Sequence, residues 1–396
     1  MSFVSKVKNL QSDFSISAVV AGLIAVIVSY AGPFVIIFQA AEAASLSQEL
    51  ITSWVWAVSI GSAITGIYLS FKFKQPIITA WSTPGAALLV MSLPNYTFNE
   101  AVGAFLISSI LILLVGLSGL SQKIMDKIPA CIASAMLAGI LFKFGIDVFT
   151  SLELKPIIVL PMIISYFLGK VFFPRYAVTS SLIMGILIAI FYENLDFSII
   201  EISFASPVFT MPHFDISALI NIAIPLFIVT MASQNIPGIA VLKSSGYKPK
   251  VGSLISFTGI ISVLLAPFGS HGLNLAAITA AICTGEEANQ YKSKRYIAGI
   301  SCGLFYLLVG IFGSTLIVVF ATLPKVLVAS IAGLALFPAI SNSLNISMEN
   351  EKFREIALVT FLVTVSGVSF WGVSSAFWGL VVGASLHTFY VKYNSK

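Results

Sequence analysis

The chain has 396 residues, 58% of them hydrophobic and 9% charged, with a mean hydropathy of +1.01. That balance excludes an ordinary soluble domain, in which about 25% of residues are charged. The net charge of +5 is spread singly or in pairs between apolar runs, so it reads as membrane orientation rather than a nucleic-acid patch.

The first apolar run, Ile16 to Phe38, is too long for a secretory leader and reads as a span. Runs able to cross a hydrocarbon core of about 30 Å are predicted near 16–39, 51–71, 76–91, 100–121, 127–149, 156–173 and 176–192. A second set follows near 216–242, 251–267, 271–284, 296–321, 325–342, 355–369 and 372–391, making fourteen. The polar break from Glu193 to Asp215 has room for a short interfacial segment.

Charge supplies an independent test of that count. With the N-terminus inside, 18 Lys and Arg residues fall on the cytoplasmic side and only Lys143, Lys155 and Lys325 fall outside. A miscounted span would invert every later loop. Both termini are therefore expected in the cytoplasm. Cys131, Cys283 and Cys302 lie inside apolar runs without metal-ligand spacing and read as packing residues; neither a metal nor a cofactor is expected.

The two halves match at three places in the same order. Asp13-Phe14-Ser15-Ile16-Ser17-Ala18 opens the first run and His213-Phe214-Asp215-Ile216-Ser217-Ala218 the eighth; Pro76 precedes the third and Pro267 the tenth; Ile128-Pro129-Ala130 opens the fifth and Leu323-Pro324-Lys325 the twelfth. Repeats of about 13–192 and 213–391, each with seven spans, would enter the membrane from opposite sides. The fold class expected is an all-α polytopic membrane protein with fourteen segments in a seven-plus-seven inverted repeat, the usual basis for alternating access.

The third and tenth runs are short and broken near their starts. Gln75 to Trp81 suits an extended approach, and Ser82-Thr83-Pro84-Gly85 reads as a helix start with a hydroxyl N-cap and Pro at N1, continuing from Ala86. In the tenth run an irregular approach from Pro267 to Asn274 precedes a small apolar stretch, with Asn274 as the expected cap. Two helix starts facing one cavity would attract an anion; a Pro/Gly kink serving packing alone is the alternative. Gln234 and Asn235, in Ser233-Gln234-Asn235-Ile236-Pro237-Gly238, bring amides into an apolar run, where either a substrate carboxylate or a neighbouring helix must satisfy them. His271 is the most central ionisable residue, suited either to carrying a proton or to bonding backbone as a neutral ring. Glu286 and Glu287 read as solvated beside Lys292, Lys294 and Arg295, with Glu287 a second candidate for proton coupling.

At Ser82 to Gly85, Ser233 to Gly238 and Phe268 to Cys283, the sequence closely resembles the BenE family of bacterial benzoate/proton symporters, over essentially the whole chain. That family is related in fold to uracil and xanthine permeases and to the anion-exchanger group. The resemblance implies a core (about 13–122 and 213–321), a gate (about 123–192 and 322–391), and short strands in segments 3 and 10 beside the substrate. It implies proton-coupled import of an aromatic carboxylate across the bacterial inner membrane, with Ser82, Thr83, Gly85, Gln234, Asn235, His271, Leu273 and Asn274 as substrate-site candidates. Nucleobase permeases commonly carry an acid where this chain has Gln234, which disfavours a nucleobase. An inorganic-anion carrier, a channel or a membrane enzyme are the other readings; no ligand cluster or nucleophile–base pairing within the spans points to an enzyme. The expected partners are the small carboxylate, a proton and lipid, with no nucleic acid; a homo-oligomer is left open.

Overall fold

The computed structural model describes residues 12–119, 129–193, 202–286, 288–368, 370 and 375–394. Among them, eight helices are long and apolar enough to cross a membrane. The first predicted run is one of these, broken at Gly32 into α1 (Ile16–Ala31) and α2 (Pro33–Ala43). Then come α3 (Gln48–Phe73), strand β1 (Thr79–Trp81), α4 (Thr83–Ser92), α5 (Phe98–Leu117), α6 (Ala130–Leu154), α7 (Pro156–Phe172) and α8 (Ala177–Glu193).

The second half begins with the composite helix α9 (Ile216–Lys243), followed by α10 (Val251–Leu265), strand β2 (Leu273–Leu275) and α11 (Ile278–Thr284). It ends with α12 (Tyr296–Ile311), α13 (Gly313–Ala321), α14 (Lys325–Met348), α15 (Arg354–Val365) and α16 (Ser375–Asn394). Pro237 does not break α9. The helix widens into π turns at Leu219–Ala223 and Met231–Asn235, each just ahead of a proline, Pro225 and Pro237. A wider turn makes room for a ring that would otherwise clash with the carbonyl four residues back.

Two of the three matched motifs occupy equivalent local positions, whereas Pro76 lies in coil three residues before β1 and Pro267 in a 3₁₀ turn six residues before β2. Ser15 caps α1 by accepting from the Ala18 N–H (3.3 Å), and Asp215 caps α9 by accepting from the Ala218 N–H (2.8 Å). Two residues further on, Ser17 donates to the Ala288 carbonyl and Ser217 bonds the Tyr96 hydroxyl. Pro129 and Pro324 are the N-cap residues of α6 and α14. The principal helix pairs are α3 on α12, α5 on α10, α6 on α14, α7 on α8, and α15 on α16.

Many polar residues inside the apolar helices are satisfied locally, although the Ser108, Ser109 and Thr179 hydroxyls are buried without a partner. Along α3, Ser62 and Thr65 donate to the carbonyls of Val58 and Gly61, both at 2.7 Å, which removes the cost of a bare hydroxyl in an apolar layer. Residues 202–215 form no helix. They run as an extended strap: Ala205, Thr210 and His213 donate their N–H groups to the carbonyls of Ile311, Pro267 and Asn99.

Candidate functional site

The two interrupted runs meet. β1 and β2 pair antiparallel in the register Thr79↔Leu275, Ala80↔Asn274 and Trp81↔Leu273. Two glycines with positive φ, Gly269 (+99°) and Gly272 (+119°), turn the chain into β2, where a side chain would be strained. The Thr65 and Thr79 hydroxyls bond at 2.7 Å, Leu273 N–H donates to Ser262 Oγ (2.8 Å), and Leu275 N–H donates to Asn235 Oδ1 (3.0 Å). Irregular backbone at membrane depth requires such partners.

Strand alternation then separates the two faces of the ribbon. Thr79 bonds Thr65 of α3, and a Cβ added to Gly61 of α3 would lie 2.5 Å from Leu273 Cδ1, so the face carrying Thr79, Trp81, Leu273 and Leu275 lies against α3. Trp81 packs edge-on to Tyr30 and Tyr306 on this side. Ala80 and Asn274 occupy the opposite face.

Ser82 closes the first unit. It is the N-cap of α4, its Oγ accepting from the Gly85 N–H (3.1 Å) and from the Thr230 hydroxyl of α9 (2.8 Å). The helix begins at Thr83, so Pro84 is its second residue and the start precedes the expected Ala86. Gly85 is needed for space: a Cβ there would lie 2.5 Å from Leu226 Cδ1 and 2.8 Å from Ser82 Oγ.

His271 is 1% exposed and bonded at both ring nitrogens. Trp54 Nε1 can only donate, and it does so to His271 Nδ1 (2.9 Å), so the ring proton sits on Nε2 and points to the Ser82 carbonyl (3.1 Å). The imidazole is thus neutral, and it ties α3 to both broken segments.

Asn274 does not cap a helix. It is the middle residue of β2, and α11 starts at Ile278 with Ala277 at the N-cap and no side-chain bond. Its side chain is 0% exposed, and neither Nδ2 nor Oδ1 has a hydrogen-bond partner. An unpaired buried amide costs about 1–3 kcal/mol per group. Trp81 Nε1 and Ser270 Oγ are likewise buried and unpartnered.

The other candidates divide. Asn235 is fully buried and committed, accepting from Leu275 N–H and donating to Met231 Sδ (3.3 Å). Gln234 is half-buried in the second π turn of α9, Thr83 is half-buried at the start of α4, and Leu273 packs on α3. Glu287 lies outside the described residues. Trp54 and Thr230 were absent from the sequence-based candidates: one reads as an ordinary aromatic in an apolar run, the other as an ordinary hydroxyl three residues before Ser233. No group of three or more His, Cys, Asp or Glu side chains that could hold a metal occurs among the described residues.

The fold is similar to those of solved membrane transport proteins. The chain aligns with the transmembrane domain of a cyanobacterium bicarbonate transporter, BicA, at a TM-score of 0.60 and 17% identity, covering 97% of this chain and 98% of that one. It also aligns with SLC26A9 at a TM-score of 0.67 and 13% identity, over 97% of this chain and 66% of that protein. The profile of the BenE family, described as benzoate membrane transport protein, matches residues 12–389, and the chain belongs to that family. It is 44% identical over 376 residues to the benzoate membrane transport protein of Acinetobacter baylyi, covering 95% of each chain. It is 42% identical to the inner membrane protein YdcO of Escherichia coli, over 92% of this chain and 93% of that one.

Proposed function

We propose that this protein imports benzoate or a similar aromatic carboxylate with protons, by alternating access, across a bacterial inner membrane. The observation that carries the reading is the Asn274 amide: fully buried at the crossing of the two broken segments, with donor and acceptor both unpartnered, in a chain of the benzoate transport family. The substrate's carboxyl group meets Asn274, with Gln234 and Thr83 as further polar contacts. Ser82, Gly85, Asn235, His271 and Leu273 hold the frame around them. Apolar residues receive the ring, as in ligand sites that combine an apolar lining with a few placed polar groups.

The same reading takes the chain as fourteen segments in a seven-plus-seven inverted repeat, with both termini cytoplasmic. Its support is the one-sided distribution of Lys and Arg, the equivalent capping of α1 with α9 and of α6 with α14, and the pairing pattern. A two-fold exchange of the repeats turns α3-on-α12 into α10-on-α5 and α7-on-α8 into α15-on-α16, and all four pairs are present. The helices α6 to α8 and α14 to α16 pack chiefly among themselves, which supports a gate of about 123–192 and 322–391 moving against a core of about 13–122 and 213–321.

The test is uptake of labelled benzoate into proteoliposomes under an inward proton gradient, with empty liposomes to subtract passive entry. Protein-dependent accumulation that a protonophore abolishes is expected. Equal uptake with and without the protonophore would remove proton coupling, and preferential competition by sulfate or uracil would redirect the substrate assignment.

A further inference from the structure

We infer that the site takes its substrate as the neutral carboxylic acid, so that the coupling proton travels on the substrate rather than on a protein side chain. The inference rests on the placement of the carboxyl group at Asn274 proposed above. A primary amide presents a donor, Nδ2–H, beside an acceptor, Oδ1, and in Asn274 both are buried and unpartnered. A protonated carboxyl group presents the complementary pair, a carbonyl acceptor beside an O–H donor, and satisfies both amide atoms in one planar ring of two hydrogen bonds. A carboxylate has no donor. It would occupy Nδ2 and leave Oδ1 facing a negative oxygen without water, a cost of the kind that buried unpaired groups carry.

The surroundings favour the neutral form as well. Of the elements packed against β2, strand β1, α10 and the π turn Met231–Asn235 carry no Asp, Glu, Lys, Arg or His, and α3 carries only Glu49 and Lys72, in its end turns. Helix α6, which touches that π turn, contributes Lys143, Asp147 and Glu153 from its second half. His271, three residues before Asn274, has its Nδ1 lone pair filled by Trp54 and its Nε2 proton directed to Ser82. The start of α4 offers an anion little: Pro84 has no N–H and Gly85 donates to Ser82, leaving the N–H of Thr83 among its first three residues. Among the described residues, strand β1, α10 and the π turn thus bring no cationic side chain to the crossing to hold a carboxylate. The proton enters with the acid and is released when the acid ionises in the cytoplasm, which gives one proton per substrate.

The experiment is equilibrium binding of labelled benzoate to the purified full-length protein from about pH 6 to 8, with benzamide and benzenesulfonate as competitors. Because only the neutral fraction binds, apparent affinity is expected to fall about tenfold per pH unit. Benzamide carries the same donor and acceptor and does not ionise, so it should compete with an affinity independent of pH; benzenesulfonate, ionised throughout, should not compete. Asn274→Leu should lose both benzoate and benzamide while its melting temperature holds or rises, since the unpaired amide is removed. A flat pH profile with benzenesulfonate competing would overturn the neutral-acid inference while leaving the site in place. Competition by benzenesulfonate only at low pH would assign the proton to the protein. Wild-type benzoate binding by Asn274→Leu would overturn the site itself, and with it the inference; a folded protein that binds no benzoate at any pH would overturn the substrate reading.

Discussion

The first strand–helix unit, Thr79–Trp81 with Thr83–Ser92, caps its own helix and leaves the Trp81 Nε1 unpaired, whereas the second, Leu273–Leu275 with Ile278–Thr284, has no side-chain cap and leaves both amide atoms of Asn274 unpaired. In the first, Ser82 caps its own helix and receives Thr230. In the second, no side chain caps the helix and the Asn274 amide faces away from α3 without a partner. His271 belongs to the second unit and bonds the backbone of the first, so the two are locked together at Ser82. In the proposed site the two units therefore differ in role, the first fixing the geometry and the second presenting the Asn274 amide.

The comparison breaks most sharply at Asn274. If Asn274 holds the substrate's carboxyl group as proposed, Asn274→Leu forfeits two buried hydrogen bonds, together about 2–4 kcal/mol, and should lower kcat/KM for benzoate uptake about 100-fold with stability retained. Ser82→Ala should behave in the opposite way. Loss of the cap costs about 1–2 kcal/mol and leaves the Thr230 hydroxyl without its acceptor. Its melting temperature should drop by several degrees while the residual folded protein keeps its substrate preference. If Ser82→Ala changes the ranking of benzoate over benzamide at unchanged stability, Ser82 contacts substrate and the division between the units is wrong.

Trp54→Phe probes the lock between them. It removes the N–H that fills His271 Nδ1 and should destabilise the protein by about 1 kcal/mol. It also leaves the His271 Nδ1 lone pair without its donor. If His271 only fastens the two units, the loss of apparent affinity of about tenfold per pH unit persists in this variant. A changed slope would make His271 part of the proton path.

Much of the fold can be read along the chain because its signals are local. Apolar length, the Ser15 and Asp215 of the matched motifs, and the prolines before α6 and α14 act within a few residues of where they stand, at the starts of runs read from apolar length. The site is legible only in part because its decisive contacts are not local. Asn274 has the preference of a helix cap, but pairing with Ala80, nearly two hundred residues earlier, holds it in a strand. Asn235 and Gln234 are indistinguishable as adjacent amides in one run; a wide turn at Pro237 and the backbone of Leu275 commit the first and leave the second half-buried. Trp54 carries no sign that its ring N–H fixes the tautomer of a histidine 217 positions away.

Thr230→Val gives the smallest expected effect and the finest test of the comparison. The valine keeps the branched shape and removes one hydroxyl donor to Ser82, which still accepts from the Gly85 N–H and so still caps α4. The expected cost is about 0.5–1 kcal/mol of stability, with kcat/KM for benzoate within about twofold of the wild type. Because Thr230 precedes the π turn that carries Gln234 and Asn235, a shift of that turn would reach Asn235 and hence the N–H of Leu275 in β2. A loss of uptake well beyond the loss of stability would mean that the Thr230–Ser82 bond sets the position of the second unit as well as the first. The two units would then be one mechanical element, and the contrast between frame and site would hold only for Asn274.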